Sequence, residues 1–468
     1  MPSVADELIQ LLRRRHLLTA EQLRTALGVS PATLMRAVRA VPRGEVLGIG
    51  RARRSAYALR RPLRGSMAPL PLYAVDAAGR ADQVGLMHLA HPHGTLLELT
   101  GHLDDFEWPL VQRGTRMQDG WFEGVPYFLQ DMRPQGFLGR QFARANAAML
   151  QVSEDPVDWS DDDTLHALSM LGADQPGNLI IGEAALRLWQ AAQNRGPARE
   201  PIAEGEEAPA YVELAAHAMS LGHQGSSAGG EFPKFGAART LGGVPAHVLV
   251  KFSGSDGSPG TQRWSDLLTC EQLASEIVST LEGLEGARSR ILQAGHRTFL
   301  EVERFDRHSM PGRSGLCSWA AINADWFGLH GRSWVEGATA LAGERLIDTE
   351  SVRAVERLVF FGRLIGNTDM HDGNLSFRPG ARTGTPLRLA PVYDMLPMAY
   401  RPQVGVELPD VTFTPQLPLP GQRDTWSEAA SAAMSFWRRA ADDPRISASF
   451  RKICERNADL VADARRRA

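Results

Sequence analysis

The sequence predicts a multidomain α+β protein with a small helical module at its N-terminus and a mainly helical C-terminal part. The chain has 468 residues, more than a single domain usually contains. Its 43% hydrophobic and 22% charged residues are ordinary for a folded protein. Helical and strand-like hydrophobic patterns alternate along it. We expect four units, at residues 1–64, 65–205, 206–305 and 306–468.

The composition argues against several classes of protein. Cys270, Cys317 and Cys454 lie far apart without a CxxC pair, which excludes a disulfide scaffold and favours a reducing cytoplasm. No apolar run approaches the roughly 20 residues that a membrane-spanning helix needs. The histidines show no metal-ligand spacing, so no zinc site is expected. We therefore expect a cytoplasmic protein without membrane contact.

Residues 1–64 have the pattern of a winged helix-turn-helix. Thr19, followed three residues later by a glutamine, predicts a capping box that begins a helix, and Gly28 is suited to end that helix. Ser30, followed by proline, predicts the start of the next helix. Residues 46–59 then alternate in hydrophobicity around two glycines and three arginines, as a β-hairpin wing would.

The same segment is strongly basic, with thirteen arginines against four acidic residues and a formal charge of +9. A basic helix followed by a basic wing is how such modules meet the DNA groove and its phosphates. The sequence thus predicts DNA as a partner, and a solvated basic face or a protein-binding winged helix are the alternatives. The residues predicted to contact DNA are Arg36, Arg39, Arg51, Arg53 and Arg54.

Residues 365–377 have the spacing of a phosphoryl-transfer loop. Asp369 and Asn374 are five residues apart, which suits a carboxylate that orients the acceptor hydroxyl and an amide that holds a magnesium ion. Twenty residues further on, a short strand leads into Asp394, a second candidate magnesium ligand. Mg²⁺ takes few protein ligands and keeps water and phosphate oxygens as the others, so this pair is a reasonable protein share.

Upstream, Lys251 ends a predicted strand, as the phosphate-pairing lysine of kinases does. A Gly/Ser-rich loop at residues 224–231 precedes that strand, and its small residues would let backbone amides approach phosphates. A helix predicted over residues 265–281 follows, and either Asp266 or Glu271 could pair with Lys251. The order of loop, lysine, helix, hinge and carboxylates is that of a protein kinase, with ATP between two lobes.

Together these motifs resemble the HipA family of serine/threonine kinases, the toxins of bacterial toxin–antitoxin systems. The resemblance covers roughly residues 66–440, and the helix-turn-helix before the kinase resembles the YjjJ-type branch. The segments that carry it are Ser226-Ser-Ala-Gly229, Val250-Lys251, Val302-Glu-Arg-Phe-Asp-Arg307, Gly366-Asn-Thr-Asp-Met-His371 with Asn374, and Tyr393-Asp394.

The resemblance implies a role for each matched residue. Asp369 corresponds to the catalytic aspartate and Lys251 to the ATP lysine, while Asn374 and Asp394 correspond to the magnesium ligands. Ser226 aligns with a serine that is autophosphorylated in several members, where about −1.5 to −2 added charges silence the enzyme. The other implied nucleotide contacts lie in the hinge, the catalytic loop and the Gly/Ser loop: Glu303, Phe305, Asp306, His371, Ser227, Ala228 and Gly229.

The resemblance implies an ATP- and Mg²⁺-dependent serine/threonine protein kinase with a fused DNA-binding module for autoregulation. It further implies a protein target such as an aminoacyl-tRNA synthetase, and winged-helix regulators often work as homodimers. Gly373 departs from the family, which has a lysine or similar residue before the loop asparagine. That departure leaves open a DNA-binding transcription regulator whose kinase-like part only senses nucleotide. A small-molecule phosphotransferase shares the Asp–Asn spacing, but the hinge motif and the Ser-x-x-Gly loop argue against it.

Overall fold

The computed structural model describes residues 2–50, 54–101, 106–110, 116–194, 200–220, 232–308, 310–380, 384–403 and 408–468. Among these residues no helix is long and apolar enough to span a membrane. We divide the described chain into an N-terminal module (2–64), a middle region (65–194), a small lobe (200–303) and a C-terminal lobe (304–468).

The N-terminal module contains three helices and a three-stranded antiparallel sheet in the order β1-β3-β2. The apolar faces of the helices form its core with Leu18 and Leu59. Its elements are α1 (Val4–Arg14), β1 (Leu18–Thr19), α2 (Ala20–Leu27), α3 (Pro31–Ala40), β2 (Val46–Ile49) and β3 (Ala56–Leu59).

The helix boundaries predicted for this module are confirmed. The Thr19 hydroxyl accepts a hydrogen bond from the Gln22 amide at 3.1 Å, and the Gln22 side chain accepts one from the Thr19 amide at 2.8 Å. Gly28 ends α2 in the left-handed conformation at φ +64°, which costs a glycine little. Ser30 caps α3 by accepting from the amide of Thr33. Local chemistry alone therefore fixes where these helices begin and end.

The N-terminal module packs against the middle region through an apolar contact. Leu47, Ile49 and Ala58 form one buried cluster with Ala90 and Trp121. The backbone continues the contact, since the amide at position 61 donates to the carbonyl at 89 (2.9 Å) and the amide at 91 donates to the carbonyl at 59 (2.7 Å). The two parts therefore meet through both side chains and backbone hydrogen bonds.

Three arginines extend this interface as ion pairs. Each belongs to the last eleven residues of the N-terminal module, and each meets a carboxylate of the middle region. The pairs are Arg54–Asp119 at 2.6 Å, Arg61–Asp162 at 2.7 Å and Arg64–Asp163 at 2.5 Å.

The middle region is a five-stranded antiparallel sheet in the order β7-β6-β5-β4-β8, with four helices. Its elements are β4 (Leu70–Val75), β5 (Ala81–Ala90), β6 (Gly94–Leu99), β7 (Trp121–Phe122), α4 (Tyr127–Gln130), α5 (Gly136–Leu150), α6 (Asp161–Leu171), β8 (Leu179–Ile181) and α7 (Glu183–Asn194).

The small lobe is a four-stranded antiparallel sheet in the order β11-β12-β10-β9, with one helix before its first strand and a second between its second and third strands in the chain. The last helix begins at residue 259, six residues before the predicted start, because Ser258 caps it by accepting from the amide of Thr261. The elements are α8 (Glu207–Ser220), β9 (Lys234–Leu241), β10 (Val244–Phe252), α9 (Pro259–Val278), β11 (Ser289–Ala294) and β12 (Arg297–Glu303).

The C-terminal lobe is mainly helical, as predicted, with short strand pairs around the site. One buried apolar cluster runs from the middle region through α9 into this lobe, so these parts share a core. The elements are β13 (Arg307–His308), β14 (Gly312–Arg313), β15 (Cys317–Ser318), α10 (Trp319–Trp326), α11 (Trp334–Gly343), α12 (Thr349–Leu364), β16 (Ser376–Pro379), β17 (Leu387–Leu389), α13 (Arg423–Asp442) and α14 (Ala448–Arg467).

The apolar contact of the N-terminal module predicts a specific loss on mutation. Trp121→Ala removes a side chain that is 3% exposed at the centre of the contact, and we expect the free energy of unfolding to fall by about 3–5 kcal/mol. Val157→Ala is the control, because Val157 is 85% exposed. Denaturant unfolding measures both, and equal stability of the two variants would contradict the packing described.

Candidate active site

A buried lysine shared by two carboxylates lies at the centre of the candidate site. The Lys251 ammonium donates to Glu271 Oε1 at 2.6 Å and to Asp394 Oδ1. The first partner comes from α9 and the second from the segment after β17. This contact settles the choice left open by the sequence, because Asp266 instead accepts from the amide and hydroxyl of Ser447 at 2.8 and 2.6 Å.

The charges of this triad depend on one another. Burial alone would lower the pKa of Lys251, but Asp394 and Glu271 raise it above its usual value. Burial raises the pKa of Glu271 to about 7, against the opposing effect of Lys251. Burial also favours a neutral Asp394, yet Lys251 and Lys234 hold the pKa of Asp394 below its usual value. Lys251 and Asp394 therefore stay charged, and Glu271 is the member of the triad that can become neutral.

The catalytic loop lies beside this triad. The Asn374 side-chain amide donates to the Asp369 carbonyl at 2.9 Å, and the Asp369 amide donates to Asn367 Oδ1 at 3.0 Å. The Asn367 side chain also donates to the Asp394 carbonyl at 3.4 Å. These bonds tie the backbone of the loop to the backbone that carries Asp394.

The surroundings of position 373 give a local structural reason for a glycine there. His371 Nδ1 accepts from the Gly373 amide at 3.1 Å and so caps the turn that leads to Asn374. A Cβ at position 373 would lie 3.0 Å from His371 Cε1, which is tighter than ordinary contact. The Gly373 carbonyl accepts from the Tyr393 hydroxyl at 2.7 Å. In this chain, therefore, a histidine cap occupies the space that a side chain at 373 would need.

The predicted loop and lysine residues line one cleft of about 800 Å³. Five predicted residues are among them: Lys251, Asp369, His371, Asn374 and Asp394. Asn374 and Asp394 present oxygen atoms of the kind that Mg²⁺ prefers, and 34% of the Asp394 side-chain surface is exposed. Both residues line the same cleft as Lys251.

The hinge residues divide into two groups. Phe305 lies near the site, with its ring centroid 5.9 Å from that of Tyr393, and Glu303 is the half-buried last residue of β12. Asp306 is buried, and like Glu303 and Phe305 it is not among the residues that line the cleft. Its carboxylate pairs with Arg304 at 3.0 Å and Arg307 at 2.7 Å.

The reason for this placement is a charged junction between the hinge and the middle region. Asp306 accepts from the amide of Gly177 at 2.9 Å. Asp174 receives Arg304 at 3.0 Å and Arg307 at 2.6 Å. Burial alone would raise the pKa of Asp306, but the two guanidinium groups lower it. The charged part of the hinge motif thus serves to join two parts of the chain.

Comparison with known proteins gives a consistent result. Residues 66–190 match the family model of the YjjJ-like toxin middle domain, and residues 226–464 match that of the HipA-like C-terminal domain. Toxin YjjJ of Escherichia coli strain K12 is 36% identical over 456 residues, which are 97% of this chain and 96% of that protein. The chain belongs to the YjjJ family. It is a homologue of the YjjJ toxin with a HipA-like C-terminal domain.

A solved structure supports the same fold. The match is to the Shewanella oneidensis MR-1 toxin antitoxin system of HipA, HipB and its operator DNA, with a TM-score of 0.51 and 17% identity. It covers 85% of this chain and 95% of that chain. At this identity the likeness shows the fold alone. The YjjJ homologue is therefore a mixed α+β, multidomain protein with a HipA-type kinase fold.

Several walls of the cleft were not found from the sequence. The middle region of this YjjJ homologue contributes the turn between α4 and α5, and β9 contributes Lys234, opposite Lys251 in the sheet. Neither the turn nor Lys234 belongs to one of the phosphoryl-transfer motifs, so motif spacing did not indicate them. The contributions of the turn are Gln130, Asp131, Arg133, Gln135 and Gly136.

The predicted DNA contacts have different surroundings in the structure. Arg36 and Arg39 are exposed on α3, where Arg36 donates to the hydroxyl of Thr33 at 3.2 Å. Arg54 pairs with Asp119 of the middle region at 2.6 Å. Other predicted residues lie outside the described ones: Arg51, Arg53, Ser226, Ser227, Ala228 and Gly229.

The buried triad predicts a pH-dependent effect of removing its cation. Lys251→Met leaves the buried Glu271 carboxyl group and the partly exposed Asp394 carboxylate without their shared cation, and we expect a loss of about 3–5 kcal/mol in the free energy of unfolding near pH 8. A carboxyl group with a raised pKa binds its proton more tightly in the folded than in the unfolded state. The loss should therefore shrink as the pH falls through about 7, where Glu271 is already inclined to protonate.

Denaturant unfolding at pH 5.5 and pH 8 measures this loss. Lys452→Met is the matched control, because Lys452 is exposed on α14, and its stability should change little at either pH. A loss in the Lys251 variant that is equal at both pH values would contradict the triad.

Proposed function

We propose that this protein is a serine/threonine protein kinase that transfers the γ-phosphate of ATP. The observation that carries the proposal is the union, in one cleft, of the Lys251–Glu271–Asp394 triad with the Asp369–Asn374 loop. In phosphoryl transfer, positioning and electrostatic stabilisation supply most of the rate. A fixed lysine, two metal-binding oxygens and a carboxylate near the acceptor are the groups that such a reaction requires.

Each group has a distinct task in this proposal. Asp369 orients the acceptor hydroxyl and receives its proton, while Lys251 binds phosphate oxygens. Asn374 and Asp394 would hold Mg²⁺, which neutralises charge on the phosphates when bound. Lys234 brings a second cation to the cleft and faces Lys251 across β9 and β10. It places positive charge near the phosphates in a chain whose residue 373 is glycine.

The proposal predicts that phosphate transfer depends on Asp369. With Mg²⁺ and labelled ATP, the wild-type protein should phosphorylate itself, with Ser226 as the expected position by family resemblance. Asp369→Asn should reduce the transfer at least about 100-fold, since it removes general-base catalysis. Mass spectrometry locates the phosphate.

Asp459→Asn is the control, because Asp459 is exposed on α14, and it should retain full transfer. Label that persists in the Asp369 variant would contradict the assignment. ATP binding without any transfer in the wild type would favour the second candidate, a nucleotide-sensing transcription regulator, for which Gly373 is the supporting observation.

We further propose that the N-terminal module is a winged helix-turn-helix that binds DNA for autoregulation. Three helices and a β-hairpin in this order, with exposed arginines on α3, support it. Among the described arginines, Arg54, Arg61 and Arg64 pair with the middle region, whereas Arg36 and Arg39 are exposed on α3 and are assigned phosphate contacts. The HipA structure that this chain resembles was solved with HipB and operator DNA.

DNA binding should weaken with salt, and α3 should account for part of that dependence. Each phosphate contact contributes about 0.9 to the slope of log affinity against log salt concentration. Replacing Arg36 and Arg39 together with alanine should therefore make the slope shallower by about 2. Fluorescence anisotropy with DNA from the protein's own promoter region measures the slope.

The control replaces Arg80 and Arg187 with alanine, because both are exposed on the middle region. An unchanged slope in the α3 variant would show that α3 does not face the phosphates. The family resemblance further suggests a protein target of the aminoacyl-tRNA synthetase class and a homodimer, and phosphoproteomics after induced expression identifies the target.

A further inference from the structure

One wall of the catalytic cleft comes from outside the two kinase lobes. Asp131 follows directly after α4 of the middle region and lines the cleft together with Asp369 and Asn374. Its carboxylate accepts from the Ser318 amide at 2.5 Å and from the Ser318 hydroxyl at 2.6 Å. A carboxylate in such a poorly hydrated place needs donors of this kind, since burial otherwise penalises its charge.

Ser318 is the residue at which α10 begins. Its hydroxyl, besides donating to Asp131, accepts from the amide of Ala321 and so caps that helix. At the other end of α10, the Trp326 ring packs edge-on against the ring of Tyr127, the first residue of α4, with the ring centroids 6.1 Å apart. The chain around α4 therefore contacts both ends of α10, through the Asp131–Ser318 hydrogen bonds and through this aromatic pair.

The far side of α10 carries the contact to the catalytic loop. Asn323 donates to Asp372 at 3.1 Å, two residues before Asn374. The Trp319 amide donates to the Leu375 carbonyl at 2.7 Å. Ser318 itself pairs with Ser376 across β15 and β16. The residues on both sides of Asn374 therefore contact α10 or its N-cap, Ser318, which binds Asp131.

We propose that Asp131 is a positioning residue, which fixes the catalytic loop by holding Ser318 and, through α10, Asn323. The inference rests on the proposed phosphate transfer and adds that the middle region is part of the working active site. Asp131 acts through Ser318 and not on the reacting atoms. A displacement of about 1 Å in a catalytic group can cost about 100-fold in rate, so loosening α10 lowers the turnover number more than the affinity for ATP.

The test is a double-mutant cycle with Asp131→Asn, Ser318→Ala and the combined variant. For each we measure kcat and the KM for ATP in the Asp369-dependent transfer, together with the melting temperature. Asp131→Asn should lower kcat roughly 10- to 100-fold and change the KM for ATP less than about twofold. The combined variant should be no slower than the slower single variant, because both changes break the same contact.

The matched control is Asp266→Asn. Asp266 also accepts from the amide and hydroxyl of a helix-capping serine, Ser447, which begins α14. This variant loses the same kind of contact away from the catalytic loop. Its melting temperature should fall about as far as that of Asp131→Asn, while its kcat stays within about twofold of the wild type. Equal losses of kcat in the two variants would overturn the proposal and indicate general destabilisation.

A second variant keeps the test decisive if Asp131→Asn does not fold. Asn323→Ala breaks the contact to Asp372 at the loop end and leaves the Asp131–Ser318 contact intact. It should lower kcat with little change in the KM for ATP, and a normal kcat would overturn the proposal. Absence of transfer in the wild-type protein would instead overturn the proposed function, and this inference with it.

Discussion

The buried contact of Lys251 with Glu271 and Asp394 is the interaction on which the rest of the site depends. A lysine in this environment stays charged only because two carboxylates surround it, and each comes from a different part of the chain. The triad therefore holds β10, α9 and the segment after β17 in one arrangement. If Lys251 is removed, Glu271 and Asp394 lose their shared cation, which is costly because Glu271 is buried. The same contacts therefore fix the geometry of the cleft and contribute to its stability.

The middle region contacts the kinase-like part at two places near this triad. At the hinge, Asp174 and Gly177 hold Arg304, Asp306 and Arg307 in a buried charged junction. At the catalytic loop, the contact of Asp131 with Ser318 joins the middle region to α10. The N-terminal module packs onto the same region through Trp121 and three ion pairs.

Local chemistry explains what the sequence predicts well. The cap at Thr19, the strand before Lys251 and the spacing of Asp369 and Asn374 each depend on residues close together in the chain. The choice between Glu271 and Asp266 could not be made in this way, because it depends on how α9 is rotated against the sheet. The start of α9 was missed although Ser258 and the following proline give the same signal that correctly placed α3.

Other features depend on partners that are distant in sequence. Asp306 belongs to a signature motif, but its surroundings are set by Gly177, 129 residues earlier in the chain. Arg54 likewise pairs with Asp119, and Asp131 with Ser318, although the members of each pair are distant in sequence. Hydrophobic periodicity along the sequence does not indicate such pairs. Gly373 seemed to weaken the active site, yet the histidine cap at 371 gives it a structural role.

The most direct test of the central claim is a crystal structure of the protein with Mg²⁺ and a non-hydrolysable ATP analogue. We expect phosphates at Lys251, a metal ion held by Asn374 and Asp394, and Asp369 facing the γ-phosphate. We also expect Asp306 to remain in its pairs with Arg304 and Arg307. A nucleotide bound elsewhere, or a metal ion that leaves Asp394 unligated, would contradict the proposed active site.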